Sequence, residues 1–403
     1  MRIKKSKINN PAASSNLRFG GVCCSNKILH SEFNTTNNAP RLPRIASSWV
    51  LNLSARIKNY KKIPHRVRIF LKTLITPIIA VLFLVFLIFL LSGTPYDTLY
   101  FFFIGPFRNL FNFGNMLNAS VPYIFGALGI IIAMKAGNLN LGGEGQIYLG
   151  SAVTVVTALS LSGLGAAGAV IAAAAGALSA GVLGALSGFC RAKWNTNEMI
   201  TTFLLSCAVI PFVNYLVTGL LLDPGTSLLS TEKVSDNMRL PLILKPSSLS
   251  AGLLISFVFV LAVSFFLNGT RTGYEFRMAG YNDMFARYGG INTKFNTVLS
   301  LALSGFLYGL AGSVLVLGTH YAVIKEFSAG IGWNGLTTAL IAGFSPAAVI
   351  PCAFFLAWIN SGARIAMQNT GLAFEVAYIA QAALFILSTS AIIKKSFNIV
   401  RKG

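Results

Sequence analysis

Apolar residues fall along this chain in long blocks. Near-continuous runs occupy about 74–91, 117–134, 146–162, 165–190, 199–220, 248–267, 295–318, 334–344, 346–362 and 372–393. At about 1.5 Å rise per residue, about 20 residues cross a hydrocarbon core about 30 Å thick. The pattern therefore predicts an all-α integral membrane fold with about ten transmembrane helices, two of them short. The first run, 74–91, carries no small-residue cleavage site and is expected to stay as an anchor.

The remaining chain divides around these runs. Residues 1 to about 60 are rich in Ser, Asn, Lys, Arg and Pro without apolar periodicity, so residues 1–72 are expected to form a basic, disordered cytoplasmic leader. A basic, acid-poor amino terminus also has the character of an organelle transit peptide. Residues 73–395 would form the transmembrane domain, with halves at about 73–220 and 248–395, and 396–403 a cytoplasmic tail.

Composition agrees with the block pattern. Hydrophobic residues make up 54% of the chain and charged residues 11%, where a soluble domain carries roughly a quarter charged. With a mean hydropathy of +0.68, too little polar surface remains to wet a globule. A soluble enzyme, a disulfide-rich secreted protein and a nucleic-acid binder are poor readings. The five cysteines have no framework spacing and the three histidines are too scattered to hold a metal.

Charge orients the crossings. Of 32 Lys and Arg, fifteen precede residue 73 beside a single acid, Glu32, an excess that holds the amino terminus in the cytoplasm. Ten crossings place 26 of the 32 cations inside and leave six outside, balanced there by six acids. With five crossings on each side of the 220–247 loop, the first half begins inside and the second outside, so the halves would be inverted copies.

Two devices stand out within the apolar runs. Gly168, Ala172, Gly176, Ala180, Gly184 and Gly188 recur every fourth residue, and Gly305, Gly309 and Ser313 repeat the spacing. Such a smooth ridge lets helix backbones approach where lipid supplies no hydrophobic drive. The second device is a polar, glycine-rich stretch from Ala136 to Ile147, matched in texture by Phe327 to Gly335 at the corresponding point of the second half. Glycines unwind a helix, and exposed backbone at membrane depth survives only inside protein or along a wet cavity. Paired interruptions point to a substrate path, lined here by Asn138, Asn140, Glu144 and Gln146 with Trp333 and Asn334. An intramembrane Glu144 would be functional by default; the alternative is a surface turn with a solvated Glu.

The loop from Gly269 to Lys294 predicts a short helix, capped by Asn282, carrying Met284 and Tyr288 one turn apart and ended by Gly289 or Gly290. It is too short to span, and its aromatic face suits a partner's groove or the lipid surface. Two strings match the dinucleotide fingerprint but lie outside any βαβ context, and no GxxxxGK[ST], HExxH or GxSxG occurs.

The stretches Asn138-Leu-Asn140-Leu-Gly-Gly-Glu144-Gly-Gln146, Asn197-Glu198-Met-Ile-Thr-Thr202 and Arg277 to Ile291 occur in order. Across about 73–395 they resemble the permease subunits of ABC importers that serve ribose, other simple sugars, nucleosides and branched-chain amino acids, in the nucleoside and simple-sugar branch. Within the third stretch, Asp283 stands where that branch has Pro and Phe285 where it has Ala.

The resemblance implies a multi-pass subunit of the inner (cytoplasmic) cell membrane that moves solute inward by alternating access. It is no enzyme and binds no cofactor, since ATP and Mg sit on a separate cytoplasmic ATPase. A second permease subunit, an extracytoplasmic solute-binding protein and the lipid bilayer complete its partners, with no nucleic acid among them. Arg277, Gly280, Asn282, Met284, Ala286 and Tyr288 match the loop thought to couple to the ATPase. For a nucleoside, amide side chains of the path would exchange hydrogen bonds with ribose hydroxyls while an indole stacks on the base. Simple sugars are the alternative solutes, and a secondary transporter with Glu144 as its proton or ion site is the alternative of another class.

Overall fold

The computed structural model describes residues 92–328 and 330–371, together with 79, 81–90 and scattered positions from 375 to 386. The expected leader and tail lie outside the described residues, as does most of the run at 372–393. The described residues are mostly helical. A short apolar helix, α1 (Val81–Leu90), precedes α2 (Pro95–Phe103), α3 (Leu110–Lys135), α4 (Gly143–Ser160), α5 (Gly165–Trp194) and α6 (Glu198–Thr218). After a long connection follow α7 (Gly252–Gly269), α8 (Arg271–Tyr281), α9 (Asp283–Tyr288), α10 (Thr293–Leu315), α11 (Ile331–Ile341) and α12 (Pro346–Thr370).

Among the described residues, six helices are long and apolar enough to cross a membrane: those of α3, α5, α6, α7, α10 and α12. They account for six of the ten expected runs, and the count of ten is not reached. The run expected at 248–267 begins later, at Gly252, because Leu249–Ser250 pairs as β2 with β1 (Leu242–Leu244) in an antiparallel hairpin.

Two helices form the hub. In α3 and α10, 89% and 83% of the positions in the most apolar window are buried, against 22% in α6. Helices α4, α5, α11 and α12 pack around this pair. The small-residue ridge makes the packing possible. Gly168, Ala172, Gly176, Ala180, Gly184 and Gly188 are all buried, and Gly184 and Gly305 lie backbone to backbone against Leu301 and Ala180. Where the ridge meets α4, the Thr154 and Ser313 hydroxyls are 2.7 Å apart, so a polar contact adds to van der Waals packing.

Loops close both ends of the bundle. The expected 220–247 loop is folded against the end of α10, where the Thr231 N–H donates to the Val323 carbonyl at 3.0 Å and the Val234 N–H to that of Tyr321 at 2.7 Å. At the opposite end, α5 stops at Asn195 in the left-handed conformation and Asn197 caps α6 through the Met199 N–H at 3.0 Å. Arg191 and the buried Glu198 form an ion pair across this turn.

Candidate functional site

Helix α3 ends at Lys135 and the chain does not resume helix until Gly143. The interruption is shorter than the expected 136–147, since Glu144 and Gln146 already lie in the first turns of α4. The second interruption likewise begins after a π-helical turn at Val316–His320 and ends at Gly330, whose φ of +84° suits glycine. Trp333 and Asn334 therefore sit on α11 itself. The amino termini of α4 and α11 meet, with Gly332 packed against Gly143 and Glu144.

That meeting point is tight. A Cβ on Gly332 would come within 2.7 Å of the Glu144 nitrogen, and one on Gly143 within 2.6 Å of the Tyr308 ring. The Gly332 N–H donates to Glu144 Oε1 at 3.2 Å, and the backbone N–H groups of Gly330 and Trp333 also act on this carboxylate. Glu144 thus links the start of α4 to the start of α11. A carboxylate there satisfies N–H groups that have no partner within the helix and complements the positive end of the dipole.

The other path residues serve this arrangement differently. Asn138 Nδ2 donates to Ser300 Oγ at 2.8 Å, and Asn140 Nδ2 donates to Ser304 Oγ at 3.0 Å and to Gln146 Oε1 at 2.8 Å. Asn138, Asn140 and Gln146 are buried, so their amides tie the interruption to α10. On the other flank, the Leu141 N–H donates to Thr202 Oγ1 at 3.1 Å and the Gly145 N–H to Ser206 Oγ at 2.7 Å, both on α6. In the second half, Asn334 Nδ2 and Asn360 Nδ2 each donate to the Tyr123 hydroxyl at 3.3 Å.

Two spaces flank the junction. A crevice of about 10 Å³, room for about one water, lies among Asn140, Gly143, Glu144, Tyr308 and Trp333. Beyond Trp333 opens a cavity of about 340 Å³ that Trp333, Asn334, Thr337, Tyr378 and Phe385 line, within the usual range for small-molecule sites. Trp333, 45% exposed, borders both. The structure thus brings Asn140, Glu144 and Trp333 to one crevice and Trp333 and Asn334 to one cavity, while Asn138 and Gln146 line neither.

The predicted short helix is present as α9, with Asn282 Oδ1 accepting from the Phe285 N–H at 3.0 Å. Met284 and Tyr288 are 64% and 85% exposed and form an open face. Arg277, Gly280 and Ala286 instead contact the rest of the bundle. Arg277 donates to the Leu267 carbonyl at the end of α7, Gly280 packs against Lys135 and Gly137, and Ala286 is buried.

Residues absent from the sequence expectations complete the site. Ser300, Ser304 and Tyr308 stand four apart on α10, a polar stripe in an apolar run that was available as a signal. Thr202 and Ser206 show the same spacing on α6.

Comparison with known proteins places this geometry. A family model described as branched-chain amino acid transport system / permease component matches residues 112–389. The chain is 35% identical over 320 residues, 78% of its length and 84% of the relative's, to the "Probable riboflavin import permease protein" of Treponema pallidum. It is 28% identical over 307 residues to a guanosine ABC transporter permease protein of Bacillus subtilis, covering 74% of this chain and 87% of that one. A glucose ABC transporter permease protein of Haloferax volcanii is 26% identical over 316 residues, 76% of this chain and 83% of that one. No solved structure matches. With the family model spanning more than half of its residues, this chain belongs to the branched-chain amino acid transport system permease family, as a multi-pass membrane permease of the ABC importer type.

Proposed function

We propose that this permease imports nucleosides, moving them inward by alternating access between two inverted halves. The observation that carries the reading is the junction of the two interruptions, where Glu144 accepts from Gly332 and Trp333 borders a cavity of about 340 Å³. Ten crossings, a cytoplasmic amino terminus and a transmembrane domain of 73–395 belong to this reading. In support, each central helix, α3 or α10, is followed by an interruption and then a shorter helix, α4 or α11. An inverted repeat produces that order in both halves and brings broken helices together near the midplane.

A nucleoside fits the lining. Trp333 and Tyr378 offer aromatic faces to a flat base, and Asn334 and Thr337 offer hydrogen bonds to hydroxyls. The named solutes of the three relatives share a polyhydroxylated carbon skeleton, and two of them, guanosine and riboflavin, add a flat heterocycle. Simple sugars are the second reading, favoured by the glucose relative. Transport by the chain with its ATPase and binding protein in proteoliposomes, with labelled guanosine competed by riboflavin and by glucose, tests the choice. Guanosine uptake that only nucleosides compete supports it; uptake of glucose alone overturns it.

Power would come from a partner. A pair of cytoplasmic ATPases carries ATP and Mg, a second permease subunit completes the pathway, and an extracytoplasmic binding protein delivers solute. The open face of α9 is the docking surface. Replacing Met284 and Tyr288 with Asp would bury charge without a partner in the ATPase groove, at about 3–5 kcal/mol for the pair of sites. That corresponds to more than a hundredfold weaker association. The expected outcome is normal membrane insertion with loss of ATPase co-purification and of uptake. Normal co-purification of the double variant would remove α9 from the interface.

A further inference from the structure

Near each end of helix α8 a glycine packs directly against neighbouring backbone. At its start, a Cβ on the buried Gly273 would lie 2.8 Å from the Leu267 Cα, and Arg277 donates to the Leu267 carbonyl. At its other end, a Cβ on Gly280 would lie 3.0 Å from the Lys135 carbonyl carbon and 3.1 Å from the Gly137 nitrogen. Gly137 has a φ of +77°, and a Cβ built on it would lie 3.2 Å from the Gly280 Cα. Two glycines thus meet backbone to backbone where α3 runs out into the first interruption.

Both sides of this contact are stiff. Asn282 ends α8 through its N–H to the Met278 carbonyl at 3.1 Å and caps α9 with its side chain at 3.0 Å, so the two helices share one residue as cap. On the other side, the interruption is laced to α10 through Asn138 and Ser300 and to α11 through Glu144 and Gly332. At this contact backbone meets backbone, with no side chain between Gly137 and Gly280 whose rotamers could absorb a displacement.

From this geometry we infer that Gly280, seated on Lys135 and Gly137, is the joint through which movement of α9 reaches the interruption that leads into Glu144 at the start of α4. The inference rests on the importer reading above. It makes Gly280 a positioning residue, acting through the 136–144 segment rather than on the ATPase or the solute. A methyl group at Gly280 would push that segment out of place while leaving the exposed face of α9 untouched.

The test measures ATP hydrolysed per solute imported, in proteoliposomes holding the full complex. Gly280→Ala is compared with Gly289→Ala, whose Cβ would make only ordinary contacts, the nearest at 3.4 Å. The expected result for Gly280→Ala is ATPase co-purification at wild-type yield and hydrolysis within about twofold, with uptake lower by about tenfold or more. Gly289→Ala should match wild type. An unchanged ratio for Gly280→Ala, or loss of its ATPase, overturns the joint.

A second arm leaves the glycine in place. Lys135→Cys with Tyr281→Cys, in a chain whose five native cysteines are replaced, is bridged by a short cleavable bifunctional thiol reagent. Surfaces that move together tolerate the bridge, so uptake should stay within about twofold of the cleaved sample, a small effect beside the tenfold expected above. Uptake that stops on bridging and returns on cleavage means that the surfaces slide, which overturns the joint even where Gly280→Ala fails to fold. If the unsubstituted complex hydrolyses ATP without importing any solute, the importer reading falls and the joint with it.

Discussion

Glu144→Ala should lower uptake by the full complex by about ten- to a hundredfold, whereas Glu232→Ala should leave it unchanged. Glu144 joins the starts of α4 and α11 through the Gly332 N–H at 3.2 Å, and Glu232 is exposed in the connection after α6. Losing a charge-assisted hydrogen bond and leaving the buried N–H unpaired costs about 1.5–3 kcal/mol, and about 1.4 kcal/mol is a factor of ten. Glu144→Gln keeps an acceptor for Gly332 and should transport within a few-fold of wild type. A glutamine variant as inactive as the alanine variant would mean that the charge itself is needed, which is the behaviour of an ion-coupled carrier.

Gly305→Leu should destabilise the bundle core. Gly305 lies against the Ala180 backbone, and a Cβ there would come within 3.3 Å of the Gly181 Cα. A leucine side chain at this point must force α5 away from α10 and strain the Thr154–Ser313 contact two layers further along. Overpacking of this kind costs about 3 kcal/mol or more, equivalent to roughly 5–10 °C in Tm. Gly163→Leu is the control, because nothing lies within 4 Å of its Cβ position. Equal melting of both variants in detergent would show that the ridge does not hold these helices together.

Much of this bundle was legible in the residue pattern. Block hydropathy located α5, α6, α7 and α10 to within about four residues at each end, started α3 seven residues late and ended α12 eight residues early, and the four-residue spacing of Gly168 to Gly188 marked the face that meets α10. Both features are local, so a local pattern reports them. The interruptions were visible for the same reason, because glycine and amide clusters stand out between apolar runs.

What the pattern could not report was who meets whom. Glu144 and Gly332 are 188 residues apart, and nothing near either announces the other. Asn138 and Asn140 are paired by Ser300 and Ser304 of α10, part of a polar stripe that the sequence displays without naming the residues it meets. Arg277 and Gly280 of α8 were grouped with Met284 and Tyr288 through the resemblance of the whole loop, and such a resemblance does not say which of its residues face outward. The interruptions were drawn too long for a related reason. Gly143 and Gly145 take helical conformation inside α4 because packing against Tyr308 and Ser206 requires a small residue there, which overrides their low helix propensity.

The importer account stands most directly on what drives uptake. Proteoliposomes containing this chain with its cognate ATPase and binding protein should accumulate labelled guanosine only when ATP is present on the ATPase side, with no ion gradient imposed. Accumulation by the chain alone, driven by a proton or sodium gradient and indifferent to ATP, would contradict it.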